Sequence, residues 1–121
     1  MSKLFLIIGS INCFLAVAIG AFGAHGLKSS LSPQMLQTFN TGVEYHFYHA
    51  LGLLAMGIIL RDYPASVMAG WLMLAGIILF SGSLYILSIT GIKPLGMVTP
   101  FGGLCFLAAW LWLAISIYQQ S

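Results

Sequence analysis

The chain has 121 residues, of which 60% are hydrophobic and only 5% are charged, and its formal net charge is +2. Soluble domains contain about 25% charged residues, so this composition excludes a water-soluble fold and is typical of an integral membrane protein. The basic residues are spread along the chain, and we therefore expect no nucleic-acid partner. The length fits a single membrane domain over residues 1–121.

The first apolar run extends over about residues 4–22 and is close to the roughly 20 residues that a membrane-spanning helix needs. The alternative is a cleaved signal peptide with its cleavage site at residues 16–18. We favour a retained helix because the run stays apolar beyond that site. Ala16, Gly20 and Ala24 recur every fourth position, a spacing that lets membrane helices approach closely.

A polar stretch follows, and it contains a predicted short amphipathic helix over about residues 32–42. Ser32 and Pro33 fit the N-cap and the first turn of this helix. Met35, Leu36 and Phe39 are spaced for one apolar face. We expect this helix to lie in the membrane interface and to run directly into the next span.

The second predicted span, about residues 43–60, carries most of the unusual polar residues. Its uninterrupted apolar part, residues 50–60, is only 11 residues long, which is too short to cross a membrane. To cross, the span must include Glu44, His46 and His49. At 1.5 Å per residue, His49 lies roughly 18 Å from the charged end of the span, so its ring is predicted inside the hydrocarbon layer.

Two further apolar runs, about residues 65–88 and 100–118, complete four predicted spans. Thr99 and Pro100 fit the start of the last helix. Four spans place both termini on one side of the membrane. The basic residues divide equally between the two sides and do not decide the orientation. The amino terminus itself favours a cytoplasmic position for both termini. The predicted fold is all-α, an integral membrane four-helix bundle with an interfacial helix before the second span.

Ionisable side chains inside a membrane span are costly and are therefore candidates for function. His25, His46 and His49 are candidate ligands for zinc, because imidazole is an ordinary ligand of that metal. His46 and His49 lie about 60° apart around a helix and can converge, whereas Glu44 lies on a different face. A third ligand would have to come from His25 or from another chain.

The alternative is a structural role, in which neutral polar side chains hydrogen-bond across a helix bundle. Tyr45 precedes His49 by four residues, and Glu44 precedes Tyr48 by four, so each pair can meet on one helix face. Hydroxyl groups in the third span can bond to their own helix or to a neighbour. The predicted polar cluster consists of Glu44, Tyr45, Tyr48, Ser81 and Ser83.

Four segments carry a family resemblance: GAFGAHGL at residues 20–27, TGVEYHFYHAL at 41–51, LFSGSLY at 79–85 and TPFGG at 99–103. Together they resemble the YgdD-like family of small membrane proteins of unknown function. The resemblance implies a multi-pass, four-helix protein of the bacterial inner membrane. It also implies that the polar segments that recur in the family include His25, Glu44, Tyr45 and His49. All four are candidate ligands or members of the polar cluster described above. It implies no activity.

The sequence favours a non-enzymatic membrane protein that packs with itself or with a partner, or that holds a lipid-like ligand between helices. One alternative is a metal-binding membrane protein or metalloenzyme that uses the histidines, with zinc as the cofactor. Another is proton or small-solute transport. No hydrolase elbow, phosphate loop or dinucleotide fingerprint is present, so an enzyme is disfavoured. The expected partners are membrane lipid, a second copy of the chain or another membrane protein.

Overall fold

The computed structural model describes residues 1–120. No strand occurs among these residues, which confirms the predicted all-α class. A π-helical turn, Ile77–Ser81, joins the third and fourth α-helices, and short 3-10 turns at Pro64–Ser66 and Lys93–Met97 precede the third and fifth. The α-helices of the described chain are α1 (Ser2–His25), α2 (Pro33–Ile59), α3 (Val67–Gly76), α4 (Gly82–Thr90) and α5 (Thr99–Gln120).

Three helical segments of the described chain are long and apolar enough to cross a membrane: Ser2–His25, Pro64–Thr90 and Lys93–Gln120. Helix α2 has 27 residues and is about 40 Å long at 1.5 Å per residue, but its amino-terminal half is polar. The predicted interfacial helix, 32–42, and the predicted second span, 43–60, together form this one continuous helix. Their positions in a membrane stay predictions.

The start of α2 follows the capping pattern expected from the sequence. The Ser32 hydroxyl accepts a hydrogen bond from the backbone N–H of Met35 at 3.2 Å, and Pro33 occupies the first turn. Both features stabilise a helix start. Proline has no N–H group that would lack a partner there, and the serine oxygen accepts a hydrogen bond from one of the N–H groups of the first turn. The beginning of α2 is therefore well defined in spite of the polar sequence around it.

Helix α1 packs antiparallel along α2, and glycines make the contact close. A Cβ atom placed on Gly9 would lie 2.7 Å from the backbone nitrogen of Leu54, and one on Gly57 would lie 2.6 Å from the side chain of Leu6. Near the other end of α1, Gly23 lies against the ring of Phe39. The two backbones can approach this closely only because these positions carry no side chain.

Large apolar side chains cover the outside of the bundle. Phe14 is 70% exposed and Leu107 is 71% exposed. The interior combines a few large residues, among them Phe5 and Met73, with many buried glycines, alanines and serines. A soluble protein of this size would not expose so much contiguous apolar surface, whereas hydrocarbon chains of lipids match it.

Helix α5 packs closely against the backbone of the π turn. A Cβ atom on Gly102 would lie 2.3 Å from the backbone nitrogen of Phe80, whereas one on the adjacent Gly103 would lie 3.8 Å from the Phe80 ring. The first distance is a severe clash with backbone atoms, and the second is an ordinary contact. These neighbouring glycines therefore differ sharply in the space around them.

We expect Gly102→Ala to lower the stability of the protein and Gly103→Ala to leave it unchanged or slightly raised. Overpacking against backbone costs about 1–3 kcal/mol, while alanine in a helix gains up to about 1 kcal/mol over glycine. Thermal unfolding of both variants in detergent measures the difference. Equal melting temperatures would contradict the close contact between α5 and the π turn.

Candidate ligand groove and histidine network

His46 is buried, with 3% of its surface exposed, and it joins three helices. Its Nε2 atom lies 3.0 Å from the Asn12 side-chain oxygen on α1, and its Nδ1 atom lies 2.8 Å from the Tyr85 hydroxyl on α4. The Asn12 amide nitrogen donates to the carbonyl of Ile8, so the Asn12 oxygen faces the ring and can only accept. The proton of the neutral ring is therefore on Nε2, and Tyr85 donates to Nδ1.

His49 has the opposite tautomer. Its Nδ1–H donates to the Tyr45 carbonyl at 2.8 Å, and its Nε2 accepts from the Trp110 indole N–H at 3.0 Å. The ring also stacks on Phe106, with centroids 3.5 Å apart and planes 8° from parallel. A second proton on this ring, at Nε2, would point at the indole N–H of Trp110, so the geometry stabilises the neutral form.

The two histidines turn to different neighbours although they lie on the same helix. His46 bonds to α1 and α4, whereas His49 bonds to α5. Within the described residues, every buried side-chain nitrogen and oxygen atom has a hydrogen-bond partner. The network therefore connects α2 to three other helices and leaves no uncompensated polar atom in the interior.

The π turn, Ile77–Ser81, places Tyr85 in this network. The N–H of Gly82 bonds to the carbonyl five residues earlier, which is the hydrogen bond that defines a π-helix. Ser81 is fully buried and donates to the Gly42 carbonyl of α2 at 2.7 Å. A Cβ atom on Gly42 would lie 3.0 Å from the Tyr85 ring, so glycine at this position lets α4 pack closely on α2.

A groove of about 440 Å³ opens beside the His46 ring, between α1 on one side and the π turn and α4 on the other. The side chain of His46 itself is buried, so it forms part of the inner wall. At Gly82 the wall is open, because an added Cβ atom would have its nearest neighbour 3.9 Å away. The apolar lining residues are Leu15, Ile77, Ile78, Ile86, Leu95 and Val98. The polar lining residues are Asn12, His46, Ser83 and Tyr85.

The three predicted zinc ligands lie in different surroundings. His25 is exposed at the carboxyl end of α1, whereas His46 and His49 are buried and each uses both ring nitrogens in the bonds described above. No group of three or more His, Cys, Asp or Glu side chains among residues 1–120 is arranged to hold a metal ion. Zinc binding by these histidines stays a prediction.

The predicted polar cluster divides into an inner and an outer group. Ser83 shares a hydrogen bond of 2.6 Å with Thr99 of α5 and, like Ser81, faces the interior. Glu44 and Tyr48 are exposed on the outer side of α2. Tyr45 links the groups, because its carbonyl accepts from His49 while its ring is partly exposed. The cluster is thus not one site.

Asn12 and Trp110 are the partners of the histidines but were not among the predicted site residues. Asn12 is an amide within an apolar span, and such residues are usually paired with other polar groups. Trp110 lies deeper than an interfacial tryptophan does, which indicates a partner for its indole N–H. Neither signal specifies which histidine is the partner, because that depends on how the helices are rotated.

A family model described as a protein of unknown function, DUF423, matches residues 19–103, a range that includes both buried histidines and Tyr85. The chain belongs to the DUF423 family. It is 50% identical over 117 residues to the UPF0382 membrane protein YwdK of Bacillus subtilis, covering 94% of this chain and 95% of YwdK. It is 47% identical over 118 residues to the UPF0382 membrane protein SSP2132 of Staphylococcus saprophyticus, covering 97% and 98% of the two chains.

A third relative is the UPF0382 membrane protein SAB0533 of Staphylococcus aureus, which is 48% identical over 118 residues that cover 97% of each chain. No solved structure matches this chain. These relatives confirm that the chain is a small membrane protein of a family of unknown function. The narrower YgdD-like label stays a prediction.

We expect the double variant His46→Ala and His49→Ala to unfold at a lower temperature than the native protein, whatever metal is present. Each truncation leaves buried donors or acceptors without partners, at about 1–3 kcal/mol per group. The matched control is His25→Ala, which removes an exposed ring and should not change the melting temperature. Stability that depends on added zinc and falls in His25→Ala would instead support a metal site.

Proposed function

We propose that this DUF423 protein is a non-enzymatic membrane protein with four spans that binds a lipid-like molecule in the groove beside His46. The observation that carries this proposal is the groove itself, which opens from the side of the bundle between apolar walls. Its polar groups belong to side chains that are buried or half-buried. A chain-like apolar molecule with one weakly polar group matches that arrangement.

The four-span arrangement is supported by the contacts of α2. This helix runs antiparallel to α1, from the contact of Phe39 with Gly23 to that of Gly57 with Leu6. It also packs against α3, the π turn and α4. Its buried histidines are satisfied by Asn12 of α1, Tyr85 of α4 and Trp110 of α5, which removes the main cost of placing them in hydrocarbon. We therefore assign α2 as a spanning helix alongside the three apolar segments.

This arrangement places both termini on one side, and we assign that side as the cytoplasm. The amino-terminal charge supports this orientation, since the lysines and arginine of the loops and termini divide equally between the two sides. The membrane is assigned as the bacterial plasma membrane, because the relatives named above are bacterial membrane proteins.

The topology is tested by labelling single cysteines in a Cys13→Ala and Cys105→Ala background. We expect Ser30→Cys, between α1 and α2, to react with a membrane-impermeant maleimide from the outside of intact cells. Asp62→Cys, between α2 and α3, should react only after the cells are opened. Labelling of both cysteines from the same side would exclude α2 as a span.

The inner wall of the groove indicates the chemistry of the ligand. The Asn12 amide has a second N–H that the bond to the Ile8 carbonyl does not use. The Tyr85 oxygen, which donates its proton to His46, has a free acceptor position. An uncharged hydroxyl or ester carbonyl can use these groups. The described residues that line the groove include no lysine or arginine, so nothing there would compensate a phosphate. The groove therefore suits the chain and ester region of a lipid and not its headgroup.

Native mass spectrometry of protein extracted gently from its own membrane tests lipid binding. We expect Gly82→Leu to lower the fraction of protein that retains lipid by at least about fivefold, because the new side chain enters the groove without a clash at its Cβ. The matched control, Gly103→Leu, adds the same side chain on α5 outside the groove. Equal lipid retention in the two variants, at unchanged melting temperature, would refute the assigned site.

A further inference from the structure

The outer side of α2 carries a row of exposed polar residues. Gln37, Asn40, Glu44 and Tyr48 are all exposed. At 100° per residue, the four positions lie within a sector of about 80°, so they form one face of the helix. This polar face is separate from the ligand groove, which lies on the side of α2 that packs against α1 and α4.

The depth of the polar face follows from the contacts between α1 and α2. A Cβ atom on Gly20 would lie 3.1 Å from the Val43 side chain, so Glu44 is level with the region of Gly20. That level is roughly 8 Å inside the end of α1 at His25. At nearly the same level α1 presents Val17, which is 58% exposed, to the surroundings.

This difference between adjacent helices needs an explanation. The exposed surface of α1 at this depth is apolar and suits hydrocarbon, whereas α2 presents the carboxyl group of Glu44 there. Such groups are costly in hydrocarbon unless another polar surface covers them. The polar face of α2 is therefore expected to be covered in the assembled membrane protein.

We propose that a second copy of this chain covers the polar face, so that the protein forms a two-fold dimer through α2. In a two-fold interface the same patch meets itself, so its groups must be able to both donate and accept. The amides of Gln37 and Asn40 and the phenol of Tyr48 all meet this requirement. The proposal rests on α2 being a spanning helix, but not on lipid binding in the groove.

Two neighbouring features favour a second copy over an unrelated partner. Beside the polar face, Leu104 and Leu107 of α5 are 62% and 71% exposed and border a shallow apolar hollow, so the same patch contains both a ridge and a recess. Lys28 and Lys93 lie in the loops at the end of the bundle nearer Glu44. A second copy therefore also brings positive charge toward the carboxyl group.

Oxidative cross-linking in native membranes tests the dimer, in the Cys13→Ala and Cys105→Ala background. We expect Tyr48→Cys to form a covalent dimer. The matched control is Phe14→Cys on the outer side of α1, which lies at a similar depth and is 70% exposed. It should give at least tenfold less dimer. Equal cross-linking at both positions, or none at Tyr48→Cys, would refute the interface.

A second set of variants tests the chemistry of the face. Adding Glu44→Lys to the Tyr48→Cys protein replaces the carboxyl group with a positive charge that faces Lys28 and Lys93 of the second copy, and it should lower cross-linking at least tenfold. Glu44→Gln should keep it. Unchanged cross-linking with Glu44→Lys, or a cross-link to a different protein in place of the second copy, would overturn the proposal. The maleimide labelling of Ser30→Cys and Asp62→Cys separately reports whether α2 spans the membrane.

Discussion

The bundle depends on keeping two imidazole rings in an apolar interior without leaving any nitrogen unpaired. Of its two neutral tautomers, each ring is satisfied in only one, since Asn12 can only accept from His46 and Trp110 can only donate to His49. The two rings therefore fix the rotation of α2 relative to its neighbours on both sides. A rotation that suited one histidine and not the other would leave a buried group unsatisfied.

Close approach of the helices makes this polar network possible. The hydrogen bonds between side chains of different helices are 2.6–3.0 Å long where α1, α4 and α5 meet the network. Asn12, Ser83 and Thr99 have short side chains, which reach a partner on another helix only if the backbones are near one another. Glycines supply that proximity at Gly9 and Gly57 between α1 and α2, and at Gly42 between α2 and α4. Since lipid is as apolar as leucine, packing and hydrogen bonding take the place of the hydrophobic effect in holding such helices together.

Composition and apolar run lengths were sufficient to predict an all-helical membrane protein, and the pattern around Ser32 and Pro33 predicted where α2 begins. The polar residues of α2 were also recognisable from the sequence as costly. Their partners were not, because the choice between Asn12, Tyr85 and Trp110 depends on helix rotations that no local pattern encodes. The π turn was not predicted for a related reason: residues 77–81 are apolar except for Ser81 and fit a regular helix, and the contacts of Ser81 with Gly42 and of Phe80 with Gly102 are tertiary.

The π turn has a consequence for the tolerance of this segment to insertions and deletions. Because its hydrogen bond spans five residues and not four, the turn contains one residue more than a regular α-helix would need. Deleting one residue between Ile77 and Ser81 would therefore remove the extra residue and restore an unbroken α-helix, in which the residues after the deletion keep nearly the same rotation relative to α3. Deleting one residue from the regular turns of α3 would instead rotate everything after it by about 100° and move Tyr85 away from His46, although no residue of the network had been replaced. The spacing of residues in α3 is thus as much a part of the site as the identity of its side chains.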